Sequence, residues 1–171
     1  MSEKRRIWIL IDPLKCTGCR LCEIACSLKH HGLIWPSASR IQVYEPYPGA
    51  PVPVVCVQCH DYPCVNSCPF GALGIDEKTG AVVVYEDKCT LCGTCVQACP
   101  LNIPRIVPGL RSVQICDLCG GEPECVETCE LVGYHALKIV SKPEGGVEKT
   151  LLVDPYYKSK EIYERIILGG K

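Results

Sequence analysis

The sequence predicts an α+β fold of two small modules, one inserted into the other, followed by a C-terminal helix. Three observations lead to this prediction. Sixteen cysteines fall into four runs of four, short apolar stretches with strand character stand beside these runs, and the last segment has apolar residues at helical spacing. The chain of 171 residues has one Phe, two Trp and one Met, so large apolar side chains alone are not expected to hold it together.

The four cysteine runs use every cysteine of the chain. The first and third have the spacing C-x2-C-x2-C-x3-C, and the second and fourth widen the middle gap to four and five residues. The runs are, in order, Cys16, Cys19, Cys22 and Cys26; Cys56, Cys59, Cys64 and Cys68; Cys89, Cys92, Cys95 and Cys99; and Cys116, Cys119, Cys125 and Cys129.

The spacing of the first and third runs is the bacterial ferredoxin signature for cubane clusters. Three thiolates on a tight loop hold one cubane, and the fourth, a helical turn away, ligates the other cluster of a pair. Pro69 and Pro100 follow the second and third runs and suit the turn that leads the chain away. Four runs therefore predict two pairs of sites and four [4Fe–4S] clusters, with all sixteen cysteines as iron ligands.

Disulfides and zinc are the alternative uses of so many cysteines. A disulfide scaffold needs export, but the N-terminal MSEKRR is followed only by the short apolar stretch Ile7 to Ile11, too short for a signal peptide. No stretch approaches the ~18 apolar residues of a membrane span. Zinc sites usually place two C-x2-C pairs roughly 12–20 residues apart, unlike these runs. We therefore expect a cytoplasmic iron–sulfur protein.

A predicted hairpin joins the second run to the third. Residues 72–75 and 81–85 have strand character and are separated by turn residues. The two runs and the hairpin thus predict a central module over residues 50–108, built like a two-cluster bacterial ferredoxin.

The first and fourth runs are flanked in the same way by Ile7–Ile11 and His135–Val140. If these two stretches pair, they complete an outer ferredoxin-like module over 1–49 and 109–150, into which the central module is inserted. Sequential pairing of the first run with the second remains the alternative. Nesting predicts the ligand sets Cys16, Cys19, Cys22 and Cys129; Cys26, Cys116, Cys119 and Cys125; Cys56, Cys59, Cys64 and Cys99; and Cys68, Cys89, Cys92 and Cys95.

Two segments lie outside the cysteine runs. Residues 30–55 are rich in Pro, Gly and Ser and predict a long crossover with one short strand over 41–44. The C-terminal segment 151–171 predicts a helix over 155–168, opened by Asp154 as cap and Pro155 in the first turn. Either this helix packs on its own modules or it docks on a partner; its apolar positions are Tyr156, Tyr163, Ile166 and Ile167.

Catalysis is not expected in this chain itself. Every thiol is assigned as a ligand, no histidine has a helix-spaced metal partner, and neither a P-loop nor a Gly-x-Gly-x-x-Gly fingerprint is present. The formal net charge of −1, with both signs interspersed, gives no reason to expect nucleic acid or an anionic membrane as partner.

The four runs, their order and the two widened gaps resemble the four-cluster ferredoxin-type subunits of the dimethyl sulfoxide reductase iron–sulfur family. The resemblance covers nearly the whole chain, and all sixteen ligand positions of that family are cysteine here. Relatives include electron-transfer subunits of formate dehydrogenases, formate hydrogenlyase and carbon monoxide dehydrogenase. The stretch CEIACSLKHHGLIWPSASRI resembles the small subunits that accompany tungsten-containing aldehyde oxidoreductases.

The resemblance implies a non-catalytic electron-transfer subunit of an anaerobic oxidoreductase complex. Its partner would be a larger catalytic subunit, most closely a tungsten– or molybdenum–pterin, aldehyde-oxidising one, and its acceptor a soluble ferredoxin. The chain lacks the extra loops and C-terminal extension with which some relatives dock on membrane subunits, which favours a complex without direct membrane insertion. A free-standing polyferredoxin carrier, or a subunit of a carbon monoxide dehydrogenase, hydrogenase or formate dehydrogenase, is the alternative.

Overall fold

A computed structural model describes residues 6–141 and 154–169, apart from the side chain of Ile167. Residues 1–5 and 142–150 of the predicted outer module, and residues 151–153 and 170–171 of the predicted C-terminal segment, lie outside the described residues. Over the described part, short helices and three antiparallel strand pairs alternate: β1 (Trp8–Ile11), α1 (Leu21–His31), β2 (Gln42–Tyr44), β3 (Val52–Val54), α2 (Pro63–Asn66), β4 (Leu73–Ile75), β5 (Val82–Val84), α3 (Thr94–Ala98), α4 (Glu124–Leu131), β6 (Leu137–Val140) and α5 (Pro155–Ile162). The mixed α+β composition agrees with the predicted fold class.

The first and last strands of the described residues pair with each other, as the sequence predicts. β1 and β6 are antiparallel, with Trp8 opposite Val140 and Ile11 opposite Leu137. β4 and β5 form the predicted hairpin, but the strands do not include Ala72, Ala81 and Tyr85 of the predicted stretches. Short ladders of this kind are marginally stable alone, so each depends on the helices and loops packed against it.

The presence or absence of a proline after each cysteine run determines where the helix there ends. α2 and α3 stop before Pro69 and Pro100, which cannot continue a helix. No proline follows the first and fourth runs, and α1 continues through Ser27 to His31 while α4 continues to Leu131. The two longer helices pack against each other, and so do the two shorter ones.

The crossover contains one strand more than the sequence predicts. β2 is the predicted strand, and it pairs with β3, where Val43 stands opposite Pro53. β3 was not predicted because Pro51 and Pro53 lie in its apolar stretch, and proline in such a stretch argues against a central strand. A two-stranded pair tolerates proline, since each strand keeps one edge outside the ladder. The pairing also crosses the predicted boundary between residues 49 and 50.

The core is built around the cysteines themselves. One cluster of buried side chains gathers Ile41, Leu118 and Leu137, each at most 1% exposed, with six cysteines of the first and fourth runs around them. A second gathers Leu73, Val82, Val113 and Ile115 with cysteines of the second and third runs. Cys56 packs against both clusters and lies where they meet.

Gln58 ties these two parts of the core together. Its side chain is 1% exposed, donates from Nε2 to the carbonyl of Cys116 at 2.8 Å, and accepts the N–H of Val82 at Oε1 at 3.0 Å. Both backbone groups are buried, so without Gln58 neither would have this partner. The amide therefore stabilises the junction between the second run, the fourth run and β5.

We expect Gln58→Met to lower the free energy of unfolding by about 2–6 kcal/mol, because it leaves two buried backbone groups unpaired at about 1–3 kcal/mol each. The measurement is the midpoint of anaerobic thermal unfolding of the iron-loaded protein, followed by circular dichroism. Gln97→Met is the matched control, since Gln97 is exposed on α3. Equal midpoints for the two variants would contradict this role of Gln58.

The C-terminal helix begins as predicted and packs on its own chain. The Asp154 carboxylate accepts the N–H of Tyr156 at 2.8 Å, and Pro155 occupies the first turn. α5 continues into one wider turn over Tyr163–Ile167. Its fully buried Ser159 donates to the carbonyl of Ala50 at 2.8 Å and accepts the N–H of Tyr47, while Ile162 packs on Ala50. Among the residues described, every helix is too short or too polar to cross a lipid bilayer.

Candidate iron–sulfur centres

Two cavities are each lined by four cysteines from two runs. One is lined by Cys56, Cys59, Cys64 and Cys99 together with apolar residues such as Val82 and Ile115. The other is lined by Cys68, Cys89, Cys92 and Cys95. We name these groups of thiols site 3 and site 4. In both, three cysteines of one run meet the fourth cysteine of the other.

The remaining eight cysteines come together where α1 packs on α4. Burial raises the pKa of Cys16, and among the charges that raise it further are those of Cys19 and Cys129. Burial likewise raises the pKa of Cys125, with Cys26 as the strongest neighbouring charge and Cys119 the next. We name Cys16, Cys19, Cys22 and Cys129 site 1, and Cys26, Cys116, Cys119 and Cys125 site 2.

The first C-x2-C pair of every run carries a left-handed residue just before its second cysteine. These residues are Gly18, Gln58, Leu91 and Leu118, with φ between 47° and 71°. Only glycine adopts this conformation without cost, so at three sites the backbone is strained by about 1–2 kcal/mol. A left-handed residue in such a loop turns successive N–H groups toward one point and makes an anion-binding concavity of the type seen at iron–sulfur sites.

The fourth cysteine of every run accepts a backbone hydrogen bond at its sulfur. The Sγ atoms of Cys68, Cys99 and Cys129 accept the N–H groups of Ala72, Ile103 and Ala136 at 3.3–3.4 Å. Because α1 continues past Cys26, the N–H that reaches its Sγ comes from Arg40, at 3.3 Å. N–H donors that face sulfur stabilise a thiolate and tune the iron it binds.

Six of the sixteen cysteines are buried and eight are partly buried, and burial raises the pKa of several of these thiols. The pKa of Cys22 rises to about 12 and that of Cys64 to about 11, in both cases mainly because burial penalises the charged form. Those of Cys116 and Cys125 also rise well above the usual value of 9.0. Cys92 is exposed, and the Thr94 hydroxyl lowers its pKa. None of the sixteen cysteines, all within the described residues, forms a disulfide. Sixteen thiols, strained loops and N–H donors therefore fit [4Fe–4S] clusters.

The structure adds a polar network at site 2 that the sequence reasoning did not identify. His30 Nε2 lies 3.7 Å from Cys119 Sγ and 3.5 Å from Asp117 Oδ1, and Asp117 pairs with the Arg40 guanidinium at 2.6 Å. Burial, followed by the nearby charge of Arg40, lowers the pKa of His30 to about 4. The expectation that no histidine has a helix-spaced metal partner overlooked His30, which follows Cys26 by four residues, so that one helical turn places both on one face.

The described residues thus have the features of a ferredoxin-type iron–sulfur protein, and comparison with known families gives the same class. A model of the 4Fe-4S dicluster domain matches residues 50–136, about half of the chain, and a 4Fe-4S binding domain matches residues 13–29. The chain belongs to this 4Fe–4S dicluster family of iron–sulfur electron-transport proteins.

Curated relatives are similar over most of the chain. The aliphatic sulfonate oxidoreductase polyferredoxin-like subunit of Pyrococcus furiosus is 59% identical over 168 residues, or 97% of each chain. The electron transport protein HydN of Escherichia coli is 34% identical over 79% of this chain and 88% of its own. The NADH-dependent phenylglyoxylate dehydrogenase subunit beta of Aromatoleum evansii is 36% identical over 78% of this chain and 30% of its own. Among solved structures, a chain of the BamBC complex of benzoyl coenzyme A reductase aligns over 78% of both chains, with 29% identity and a TM-score of 0.45.

Proposed function

We propose that this protein relays electrons through four [4Fe–4S] clusters between a catalytic oxidoreductase subunit and an acceptor such as ferredoxin. The observation that carries the proposal is the convergence of all sixteen thiols into sites 1 to 4, each with a left-handed loop and a sulfur that accepts a backbone N–H. When bound, each cluster supplies one-electron chemistry with little rearrangement.

The proposed ligand sets are those of sites 1 to 4, in the nested arrangement of two ferredoxin-like modules. The pairing of β1 with β6, the β4–β5 hairpin, and the packing of α1 on α4 and of α2 on α3 support this arrangement. So do the cavities at sites 3 and 4, in which three thiols of one run face the fourth thiol of the other.

The positions of the thiols also support an order of sites along the molecule. Cys116 of site 2 and Cys56 of site 3 are close enough that the charge of Cys56 raises the pKa of Cys116 after the larger effects of burial and Cys125. Cys19 of site 1 and Cys92 of site 4 are the two exposed cysteines. Sites 1 and 4 would therefore be the ends that exchange electrons with partners, and sites 2 and 3 would connect them.

We propose a tungsten– or molybdenum–pterin oxidoreductase subunit as the catalytic partner. Residues 22–41, which include most of α1, support this proposal because they resemble the small subunits of tungsten-containing aldehyde oxidoreductases. The name of the relative from Pyrococcus furiosus adds an oxidoreductase acting on aliphatic sulfonates, so the substrate proposed for the partner is a small aldehyde or sulfonate. Use of every cysteine as a metal ligand supports a reducing compartment, and we place the complex in the cytoplasm of an anaerobe.

The first test is anaerobic purification of the native protein, with metals and sulfide quantified on everything that co-purifies. The expected result is about sixteen iron and sixteen sulfide per chain, together with a larger subunit that carries tungsten or molybdenum. A nickel-bearing partner would move the proposal to carbon monoxide or hydrogen chemistry. A chain that arrives alone with full iron would replace the dedicated subunit with a free carrier.

Acid is expected to release the clusters. Iron binds thiolates, and burial raises the pKa of Cys22 and Cys64 to about 12 and about 11, so protons compete more strongly for these thiols as the pH falls. Iron retained per chain after anaerobic equilibration and gel filtration should decrease from about pH 9 to about pH 6. Greater loss on the alkaline side would contradict thiolate ligation at these buried positions.

A further inference from the structure

The polar network at site 2 is built from three separate parts of the chain. His30 stands near the end of α1, Arg40 in the crossover, and Asp117 between the first two cysteines of the fourth run. The ligand atoms of His30, Asp117 and Cys119 all lie within 4.8 Å of one another. The His30 side chain is 12% exposed and Asp117 29% exposed, so the network lies largely away from solvent.

The position of His30 follows from the missing proline after Cys26. Ser27 lets α1 continue for one more turn, and that turn brings His30 against the fourth run. In the second and third runs, Pro69 and Pro100 stop the helix at this point. The α1–α4 contact is held further by the ion pair of Lys29 with Glu124, at 2.7 Å. His30 thus reaches site 2 through a feature that the two proline-terminated runs lack.

The neighbours of Nε2 decide where the imidazole proton is. Both atoms that face Nε2, the Cys119 sulfur and the Asp117 carboxylate, are acceptors when the cysteine is a thiolate. Nε2 therefore carries the proton and donates. Asp117 is itself fixed, because it accepts the N–H of Cys119 at 3.0 Å and pairs with Arg40. The backbone N–H of Arg40 in turn donates a hydrogen bond to Cys26 Sγ.

We propose that His30 sets the reduction potential of site 2 by donating a hydrogen bond from Nε2 to Cys119 Sγ, with Asp117 and Arg40 holding the ring in place. The inference rests on the ligand set proposed for site 2. A hydrogen bond to a ligand sulfur stabilises the more negative, reduced state and raises the potential. The Asp117 carboxylate has the opposite effect, which the Arg40 charge partly offsets.

The test compares His30→Phe, His30→Gln and Asp117→Asn in the iron-loaded protein by redox titration followed with EPR. His30→Phe removes the donor and should lower one of the four midpoint potentials. At a fixed potential, the ratio of reduced to oxidised cluster should fall by about tenfold, the size expected for part of a charge-assisted hydrogen bond. His30→Gln keeps an N–H donor and should restore most of the shift. Asp117→Asn removes a negative charge and should shift the same transition upward.

Iron content separates this inference from the proposed function. Iron well below about sixteen per chain in the unsubstituted protein would reject the four-cluster proposal itself. With full iron, unchanged potentials in His30→Phe or a shift as large in His30→Gln would overturn the role of His30, and unchanged potentials in Asp117→Asn would overturn the role of Asp117. If His30→Phe loses iron, pulsed EPR of the reduced protein labelled with ¹⁵N-histidine decides. A weak nitrogen coupling that His30→Gln removes supports the hydrogen bond, and its absence overturns it.

Discussion

The double variant Cys26→Ala/Cys119→Ala is expected to lose one cluster and keep three intact. In the proposed nested sets both cysteines belong to site 2, so the two substitutions disable a single site. Iron should fall from about sixteen to about twelve per chain, and EPR quantitation of the reduced protein should find three intact [4Fe–4S] clusters. A relay with a missing inner site is also expected to lose nearly all electron flow between its ends.

The matched control is Cys26→Ala/Cys59→Ala, which carries the same number of substitutions. These two cysteines belong to sites 2 and 3, so two sites each lose one ligand and only two intact [4Fe–4S] clusters should remain. A site left with three cysteines can hold a [3Fe–4S] cluster, which EPR of the oxidised protein detects. Sequential pairing, in which Cys26 joins the cysteines of the second run, requires the opposite result for the two variants.

Removal of iron is expected to unfold most of the protein. The strands have only three or four residues, the chain has one Phe and one Met, and cysteines make up much of both main core clusters. Such a core gives a small apolar contribution, and in proteins of this kind the free energy of metal binding is also free energy of folding. Anaerobic treatment with a chelator should abolish the cooperative thermal transition seen by circular dichroism.

Refolding with iron and sulfide under reducing conditions is the control, since it should restore the transition together with the visible absorbance. Reductant without iron should not restore it, which separates loss of clusters from oxidation of thiols. If the iron-free chain keeps a cooperative transition within a few degrees of the loaded protein, the apolar core is sufficient and the clusters are not structural.

The strands beside the cysteine runs could be predicted from the sequence because each is a short apolar stretch whose own residues favour a strand. Ile7–Ile11 and Val82–Val84 are apolar, β-branched and bounded by turn residues, and the structure places strands there. β3 was missed because Pro51 and Pro53 carry a local signal against strands, whereas its formation depends on β2 as a partner. The local sequence shows only the strand propensity of a segment, and pairing with another strand in the folded protein can override that propensity.

The network at site 2 was missed for a related reason. The contact between His30 and Cys119 joins residues far apart in sequence, and it exists only because α1 and α4 pack together. The absence of proline after Cys26 was visible, but the residue that the longer helix would meet was not. The cysteine spacing, in contrast, determines by itself how the thiolates of one loop are placed around a cluster. The four runs and their cluster type could therefore be predicted without a structure.

The pairing of β1 with β6 has a consequence for how the protein is made. A ribosome completes β1 first and β6 only after the whole region between them, while β4 and β5 follow each other directly. The hairpin and the runs on either side of it can therefore close and receive iron during translation, but β1 must wait for its partner. Biosynthesis would then load sites 3 and 4 before sites 1 and 2, and the thiols of the first run would stay without iron for longest.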